Sequence, residues 1–355
     1  LFITQIPNRN DSRYSGVIKT TNNFQDAFLG ALAADAAAMP VHWYYDRNAL
    51  DRDYGIIRHY LAPKNPHPDS ILWRSHYNPP NEKAEILHDQ AKYWGQQSIH
   101  YHQFLEAGEN TINYRLSVEL YRKIIRDGTY APEAWLDRYV QLMLDPRFHK
   151  DTYLEEYHRA FFLNYAAGRM PLKCGIDDIH IGGLSQVPAL IAGLDALGEI
   201  EKVDAVRVVR THVALTHKNP NVIETAEILT RVIFQIRDGE SLHDSIRKAA
   251  GSLIGANRLD AWSRRDDRDV IGNEVSPACY LPGSFVAALF LAWKYADDFD
   301  AGVCANALSG GDSCHRGAVT GSLLAAANGI PERWLQGLKA MEQLRGDEPV
   351  FPSGV

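Results

Sequence analysis

Apolar residues recur at intervals of three and four along nearly the whole chain. Phe24, Phe28, Ala31, Leu32 and Ala34 fall on one helical face and Pro40 ends the run, which predicts a helix over 24–39. Ile112, Leu116, Leu120 and Ile124 predict a second over 110–126. Pro132 suits the first turn of a third over 131–144, where its missing N–H costs nothing. The same pattern predicts helices over 152–167, 183–197, 202–216, 221–237, 241–254, 282–296, 298–308 and 316–328. No run alternates apolar and polar residues between turn signals, so no sheet is expected and the fold class is all-α. No fixed period marks a helical solenoid. Between the first two helices, Pro63, Pro66, Pro68, Pro79 and Pro80 keep the 59–80 segment out of a helix interior. It reads as a candidate lid or as a stiff surface loop.

Composition narrows the picture. With 355 residues, 45% of them apolar, and no polar low-complexity linker, the chain reads as one domain over 1–355, with 1–20 as an N-terminal extension. A formal net charge of −7 lacks the footprint of a nucleic-acid binder. The longest apolar run, Phe285 to Trp293, is too short to span a bilayer, so no membrane partner is expected. The first residues lack the basic start and apolar stretch of a signal peptide. The four cysteines, at 174, 279, 304 and 314, form no CxxC pair. A cytoplasmic protein is the resulting expectation.

Candidate chemistry gathers in short clusters. Ser309-Gly310-Gly311-Asp312-Ser313-Cys314-His315-Arg316-Gly317 opens a small-residue helix. Free N–H groups and a positive dipole end there suit phosphate or ribose. Asp312 reads equally as an N-cap. Cys314 and His315 read as metal ligands, an activated thiol or packing groups. Glu109 and Asn110 offer oxygen ligands before a helix, or are an ordinary helix start. Asp177, Asp178, His180, Gly182 and Gly183 form a third cluster, suited to a metal, to acid–base work or to ribose hydroxyls, or else a solvated loop. Asp35 stands inside the apolar run Ala31 to Ala38, where an acid is costly unless paired, and Trp43 follows as a stacking surface or core residue. His217, in Leu215-Thr216-His217, joins two helices and reads as a structural hydrogen bonder.

The order of these clusters resembles the ADP-ribosylglycohydrolase family. Ala27-Phe28-Leu29-Gly30 through Asp35-Ala36 to Pro40 is similar to its opening helix, and Leu215-Thr216-His217 to its Thr-His turn. Pro282 to Trp334 resembles its C-terminal run of Gly-Gly-Asp, small-residue helix and Ile-Pro-x-x-Trp. The likeness covers roughly 24–340. It implies a compact multi-helix orthogonal bundle and two Mg²⁺ ions held by Thr-Asp-Asp and Asp-x-Asp-Thr motifs. This chain has Gly108-Glu109-Asn110 and Asp312-Ser313-Cys314-His315 in those places, a form similar to the J1-crystallin-like branch. Magnesium wants oxygen ligands, so Mn²⁺ or Zn²⁺, one ion, or none become alternatives.

Three functions follow. The first is hydrolysis at the ribose anomeric carbon of an ADP-ribosyl or related substrate, small molecule or ADP-ribosylated protein. Its metal would be held by Glu109, Asn110, Asp312, Cys314 and His315, and Asp35, Asp177, Asp178 and Asp312 would serve catalysis. Gly182, Gly183, Gly310, Gly311, Ser313, His180 and Trp43 would meet substrate, with Glu82, Glu85 and Glu106 as candidate acids. The alternative is a catalytically impaired binding or structural protein of the J1-crystallin kind. The third is a hydrolase using the Cys314 thiol. The first demands that the helix starts at Glu109 and Asp312 frame one pocket.

Overall fold

The computed structural model describes residues 16–20, 22–198 and 202–345. Sixteen helical segments are described. In chain order they are α1 Asn23–Ala38, α2 Arg47–Asp53, α3 Ile112–Asp127, α4 Pro132–Leu144, α5 Glu156–Ala166, α6 Val187–Ala196, α7 Lys202–Val213 and α8 Pro220–Arg237. They continue with α9 Leu242–Ala250, α10 Ala256–Ser263, the single turn α11 Asp267–Asp269, α12 Gly283–Lys294, α13 Phe299–Leu308, α14 Ser313–Asn328, α15 Glu332–Gly337 and α16 Ala340–Arg345. The bundle is all-α apart from one two-residue antiparallel pair, β1 Val17–Ile18 with β2 Ile330–Pro331, which ties the start of the chain to the end of α14.

Helices α1 and α14 form the centre, and their small residues explain why. Asn22 caps α1 by accepting from the amides of Phe24 and Gln25, and every residue from Ala27 to Ala38 is buried. A helix buried on all sides has no polar stripe, which is the composition of the Ala31–Ala38 run. Against it lies α14, buried from Ser313 to Ala326. A Cβ placed on Gly321 would stand 2.5 Å from both Ala34 Cβ and Gly30 O, so the two backbones touch. This crossing brings Asp35, late in α1, beside the first turn of α14.

Helices α6, α8, α12 and α13 pack on this pair and α3 packs on α6; α3 and α8 present amphipathic faces, whereas α12 is buried from Ser284 to Trp293. The boundaries differ from the sequence reading where caps decide them. The last long helix starts three residues before 316, because Asp312 accepts from the amide of His315 and so nucleates the turn at Ser313. The 183–197 helix starts at Val187, after a 3₁₀ turn at Ile181–Leu184. Helices α2, α10, α11, α15 and α16 were too short for a periodic signal.

The proline-rich segment contains only a 3₁₀ turn at Leu72–Arg74. It is fastened at three points. His67 is buried and stacks on Tyr44 at 3.9 Å, Asp69 accepts from the amides of Tyr45 and Asp46, and the Ile71 amide donates to Tyr101 Oη. No helix among the described residues is long and apolar enough to cross a membrane.

Candidate functional site

Asp312 is the N-cap of α14 and is fully buried. Its carboxylate meets three imidazoles. His315, one turn along, places Nδ1 2.9 Å from Oδ1 and 3.1 Å from Oδ2. His42, from the turn after α1, places Nε2 3.2 Å from Oδ1. His180 places Nε2 3.7 Å from Oδ2.

Three sequence-distant segments converge here, through identifiable local features. The Met39–Val41 turn and the positive φ of Trp43 (61°) swing His42 inward, and Trp43 stacks on its ring at 3.7 Å. Gly310 and Gly311, at φ of 76° and 69°, turn the chain sharply into α14. Gly311 pairs with the strand-like segment after His42, donating its amide to Tyr44 O, while the Trp43 amide donates to Gly311 O. Asp178 accepts from the His180 amide, and His180 Nδ1 accepts from the Gly182 amide at 2.8 Å. That last bond leaves the hydrogen of neutral His180 on Nε2, so the ring is a donor towards Asp312.

Behind His42 runs a buried relay. His42 Nδ1 lies 2.7 Å from His102 Nε2, and His102 Nδ1 lies 2.8 Å from Asp151 Oδ1. Three contacts in a row thus join Asp151, His102, His42 and Asp312, each needing one hydrogen, while two neutral imidazoles supply two. One further proton or a cation is required to complete the chain.

Behind His315, Nε2 lies 2.9 Å from Asn113 Nδ2 and 3.5 Å from Glu155 Oε1. Asn113 is oriented by Tyr157 Oη and His158 Nε2, which donate to its Oδ1, so its amide hydrogens face His315 and Glu155. Burial pushes the Glu155 carboxyl up. Burial opposes charge on His315, but Asp312, Glu155 and Asp35 outweigh it and hold the ring up to about 9. Burial alone would raise Asp312, yet His315 and His42 bring it well below the usual carboxylate range. Burial drives His42 and His180 down to about 3, against the pull of Asp312.

Two partly exposed tyrosines belong to the segment that carries His42 and to the one bridged to His180. Tyr45 and Tyr280 are 43% and 57% exposed, and Tyr280 forms a backbone bridge with His180. Cys279, half-buried, has its sulphur within 4.8 Å of the His180 and Asp312 ligand atoms.

The residues singled out from sequence divide between this site and its frame. Asp312, His315, His180 and Trp43 meet in it. Asp35 is buried beside it but turned to α3: it accepts from Asn110 Nδ2 at 2.8 Å and from the Thr111 amide and hydroxyl at 3.0 and 2.8 Å. Asn110 thus anchors Asp35, though its Oδ1 is buried without a hydrogen-bond partner. Glu109 does not join Asp312; its carboxylate pairs with Lys150 at 2.9 Å and Arg115 at 3.8 Å. Asn110 thus stands beside Asp35, whose backbone oxygen meets Cys314 in the first turn of α14, while the Glu109 side chain pairs with cations instead of Asp312. Asp177 is exposed and accepts from Asn219. Glu82 and Glu106 are exposed and Glu85 is half-buried.

The glycine and serine amides expected to meet phosphate are occupied. Gly182 donates to His180, Gly183 to His180 O, Gly311 to Tyr44 O and Ser313 to Gly311 O. Gly310 serves close packing, since a Cβ there would stand 2.6 Å from Tyr44 O. Cys314 is buried with Sγ 3.7 Å from Asp35 O, and burial with the Asp35 and Asp312 charges lifts its thiol well above the ordinary value. That opposes a reactive thiolate.

Sequence reasoning missed His42, His102, Asp151, Asn113, Glu155 and His158. The stretch His149 to His158, dense in His and acidic residues, was the signal for Asp151, Glu155 and His158, while His42, His102 and Asn113 carried none.

The expected magnesium does not fit these residues. Mg²⁺ takes six oxygens in a near-octahedral shell. Here the altered motifs retain Asp312, already engaged by imidazoles, and the neutral amide of Asn110, while Glu109 is neutralised elsewhere. The groups of three or more potential ligands among the described residues are His42–Asp312–His315, His180–Cys279–Asp312 and His42–His102–Cys314. All three are rich in nitrogen or sulphur.

Known proteins share this architecture. The chain is 25% identical to Crystallin J1A of Tripedalia cystophora over 321 residues, covering 87% of this chain and 89% of that protein. It is 23% identical to an uncharacterized protein of Archaeoglobus fulgidus, covering 90% and 93%. A solved structure described as an ADP-ribosylglycohydrolase-related protein complex superposes with a TM-score of 0.60 at 19% identity, covering 91% of this chain and 94% of that one. Residues 18–349 match the ADP-ribosylglycohydrolase profile along almost their entire length, and the chain belongs to the ADP-ribosylglycohydrolase family.

Proposed function

We propose that this chain is a J1-crystallin-like binding or structural member of the family, which keeps the scaffold without magnesium-dependent hydrolysis. One observation carries the reading: Asp312, the carboxylate retained from the second metal motif, is surrounded by imidazole nitrogens where magnesium needs oxygen ligands. A magnesium-dependent hydrolase needs an oxygen-rich shell around that carboxylate to hold the ion that orients water. The ligand class proposed is an ADP-ribose-like or ribosyl group, free or on a modified protein. Exposed Tyr45 and Tyr280 would face its base and His180 Nε2–H its hydroxyls. A cytoplasmic setting belongs to the same reading; the four cysteines are unpaired.

Cleavage of the ribosyl bond is the second reading, and Glu155 favours it. A carboxyl that burial pushes up lies one imidazole away from Asp312, which its imidazoles hold well below the usual range, and such a divergence is what an acid and a base require. Calorimetric titration with ADP-ribose, with and without Mg²⁺, tests the first reading. Saturable binding unaffected by Mg²⁺, with the ligand recovered intact, supports it. Binding that appears only with Mg²⁺ overturns it.

A further inference from the structure

Three triads of potential ligands surround Asp312 and His42, and their hydrogen bonds select among them. In the first, His180 Nδ1 accepts from Gly182, so Nε2 carries hydrogen and has no lone pair for a metal. In the second, His42 and His102 are spent on one another at 2.7 Å, and the Cys314 thiol donates to Asp35 O. The third, His42 Nε2, Asp312 and His315 Nδ1, has all its ligand atoms within 4.8 Å of one another and is buried throughout.

We propose that His42, Asp312 and His315 form a binding site for one divalent transition-metal ion of the zinc class. Metal-binding histidines characteristically give their second ring N–H to a carboxylate, directly or through a neighbour. His42 has such a partner, and a second carboxylate stands near His315 Nε2, which in this structure accepts from Asn113 Nδ2. His42 Nδ1 leads through His102 to Asp151, and His315 Nε2 lies 3.5 Å from Glu155 Oε1. Asp151 Oδ2 and Glu155 Oε2 are each buried without a hydrogen-bond partner, so the outer carboxylates have capacity in reserve. The relay from Asp151 also leaves His42 Nε2 as a bare acceptor 3.2 Å from Asp312 Oδ1, two acceptors facing one another where a cation belongs.

Binding exchanges hydrogen for metal. The His315 Nδ1–H bond breaks, its proton passes by way of solvent to Nε2 of the same ring, and the Nδ1 lone pair forms the bond to the ion. Asn113 gives way and Nε2–H turns to Glu155. Imidazole with a single carboxylate selects zinc, copper, nickel or ferrous ions over magnesium and calcium. The site shares Asp312 with the proposed function but is separable from it. Failure to bind zinc overturns this inference alone, and magnesium-dependent hydrolysis overturns that reading alone.

The test is titration of the metal-stripped full chain with Zn²⁺ and with Co²⁺ as a spectroscopic probe. One ion per chain is expected, with Co²⁺ ligand-field bands of low-coordinate type and no competition from a large excess of Mg²⁺. His42→Gln should weaken binding at least ~100-fold and Asp151→Asn about 10–100-fold, while Cys279→Ala leaves it unchanged. Circular dichroism checks each fold, and Asp151→Asn carries the comparison if His42→Gln does not fold. No saturation at micromolar Zn²⁺, or binding that survives in both the His42 and Asp151 variants or is lost in Cys279→Ala, overturns the site.

Discussion

Replacing Asp35 by Ala distinguishes a structural clamp from a catalytic base. Asp35 accepts three hydrogen bonds from the start of α3, and all the groups involved are buried. Asn110 Nδ2 retains a second acceptor, Leu32 O at 2.8 Å, so its loss is partial. The Thr111 amide and hydroxyl lose their acceptor. A hydrogen bond to a charged group contributes roughly 1.5–3 kcal/mol, and an orphaned buried donor costs about 1–3 kcal/mol. Against this, burial disfavours the Asp35 charge and raises its pKa, so removing it recovers part of the loss. The balance is a destabilisation of about 2–4 kcal/mol for Asp35→Ala. Asp35→Asn should cost about 2 kcal/mol, because its new N–H₂ faces the donors of Asn110 and Thr111. Urea unfolding followed by circular dichroism reads both as lowered midpoints with unchanged slope. A loss below about 1 kcal/mol in Asp35→Ala, on the same orphaned-donor scale, would refute the clamp.

Other outcomes follow from the same structure. Burial raises Asp26 to about 6, and its Oδ2 has no partner. The native state therefore keeps a proton that the unfolded chain releases near 3.8, and stability declines as pH rises from about 4 to 6. Asp26→Asn should flatten that window in pH-dependent melts and gain at most about 3 kcal/mol at neutral pH; a variant with the parent's slope contradicts the assignment. Gly321→Ala improves helix propensity by about 1 kcal/mol but drives a methyl into Ala34 and Gly30 O, so a net loss of roughly 1–3 kcal/mol is expected; a raised melting temperature would show that the α1–α14 crossing has slack. Cys314 should resist iodoacetamide in the native protein while the half-buried Cys279 and Cys304 react before it, as peptide mapping would show; rapid Cys314 alkylation would revive a thiol mechanism.

Much of the fold was legible because α1, α3, α8, α12 and α14 are long enough for period and caps to agree. The site was legible only in part. Asp312, His315 and His180 carried local signals, a cap after Gly-Gly and a turn before Gly182. His42 and His102 did not, since a histidine in Pro-Val-His-Trp reads the same whether it points to solvent or to a carboxylate 270 residues away. Glu109 illustrates the opposite failure. Its position before α3 suited a cation, but the cations that met it are Lys150 and Arg115, brought there by the 145–155 loop and by α3 itself. Tertiary pairing decides which carboxylates remain free, and spacing along the chain does not record it.

The central claim is that the imidazoles around Asp312 have taken the place of a magnesium centre. Turnover of N- and O-linked ADP-ribosyl peptides, followed by mass spectrometry over a range of Mg²⁺ concentrations, tests it most directly. The expected result is release indistinguishable from the protein-free control at every concentration. Release that rises with Mg²⁺ and vanishes in a folded Asp312→Asn variant would contradict it.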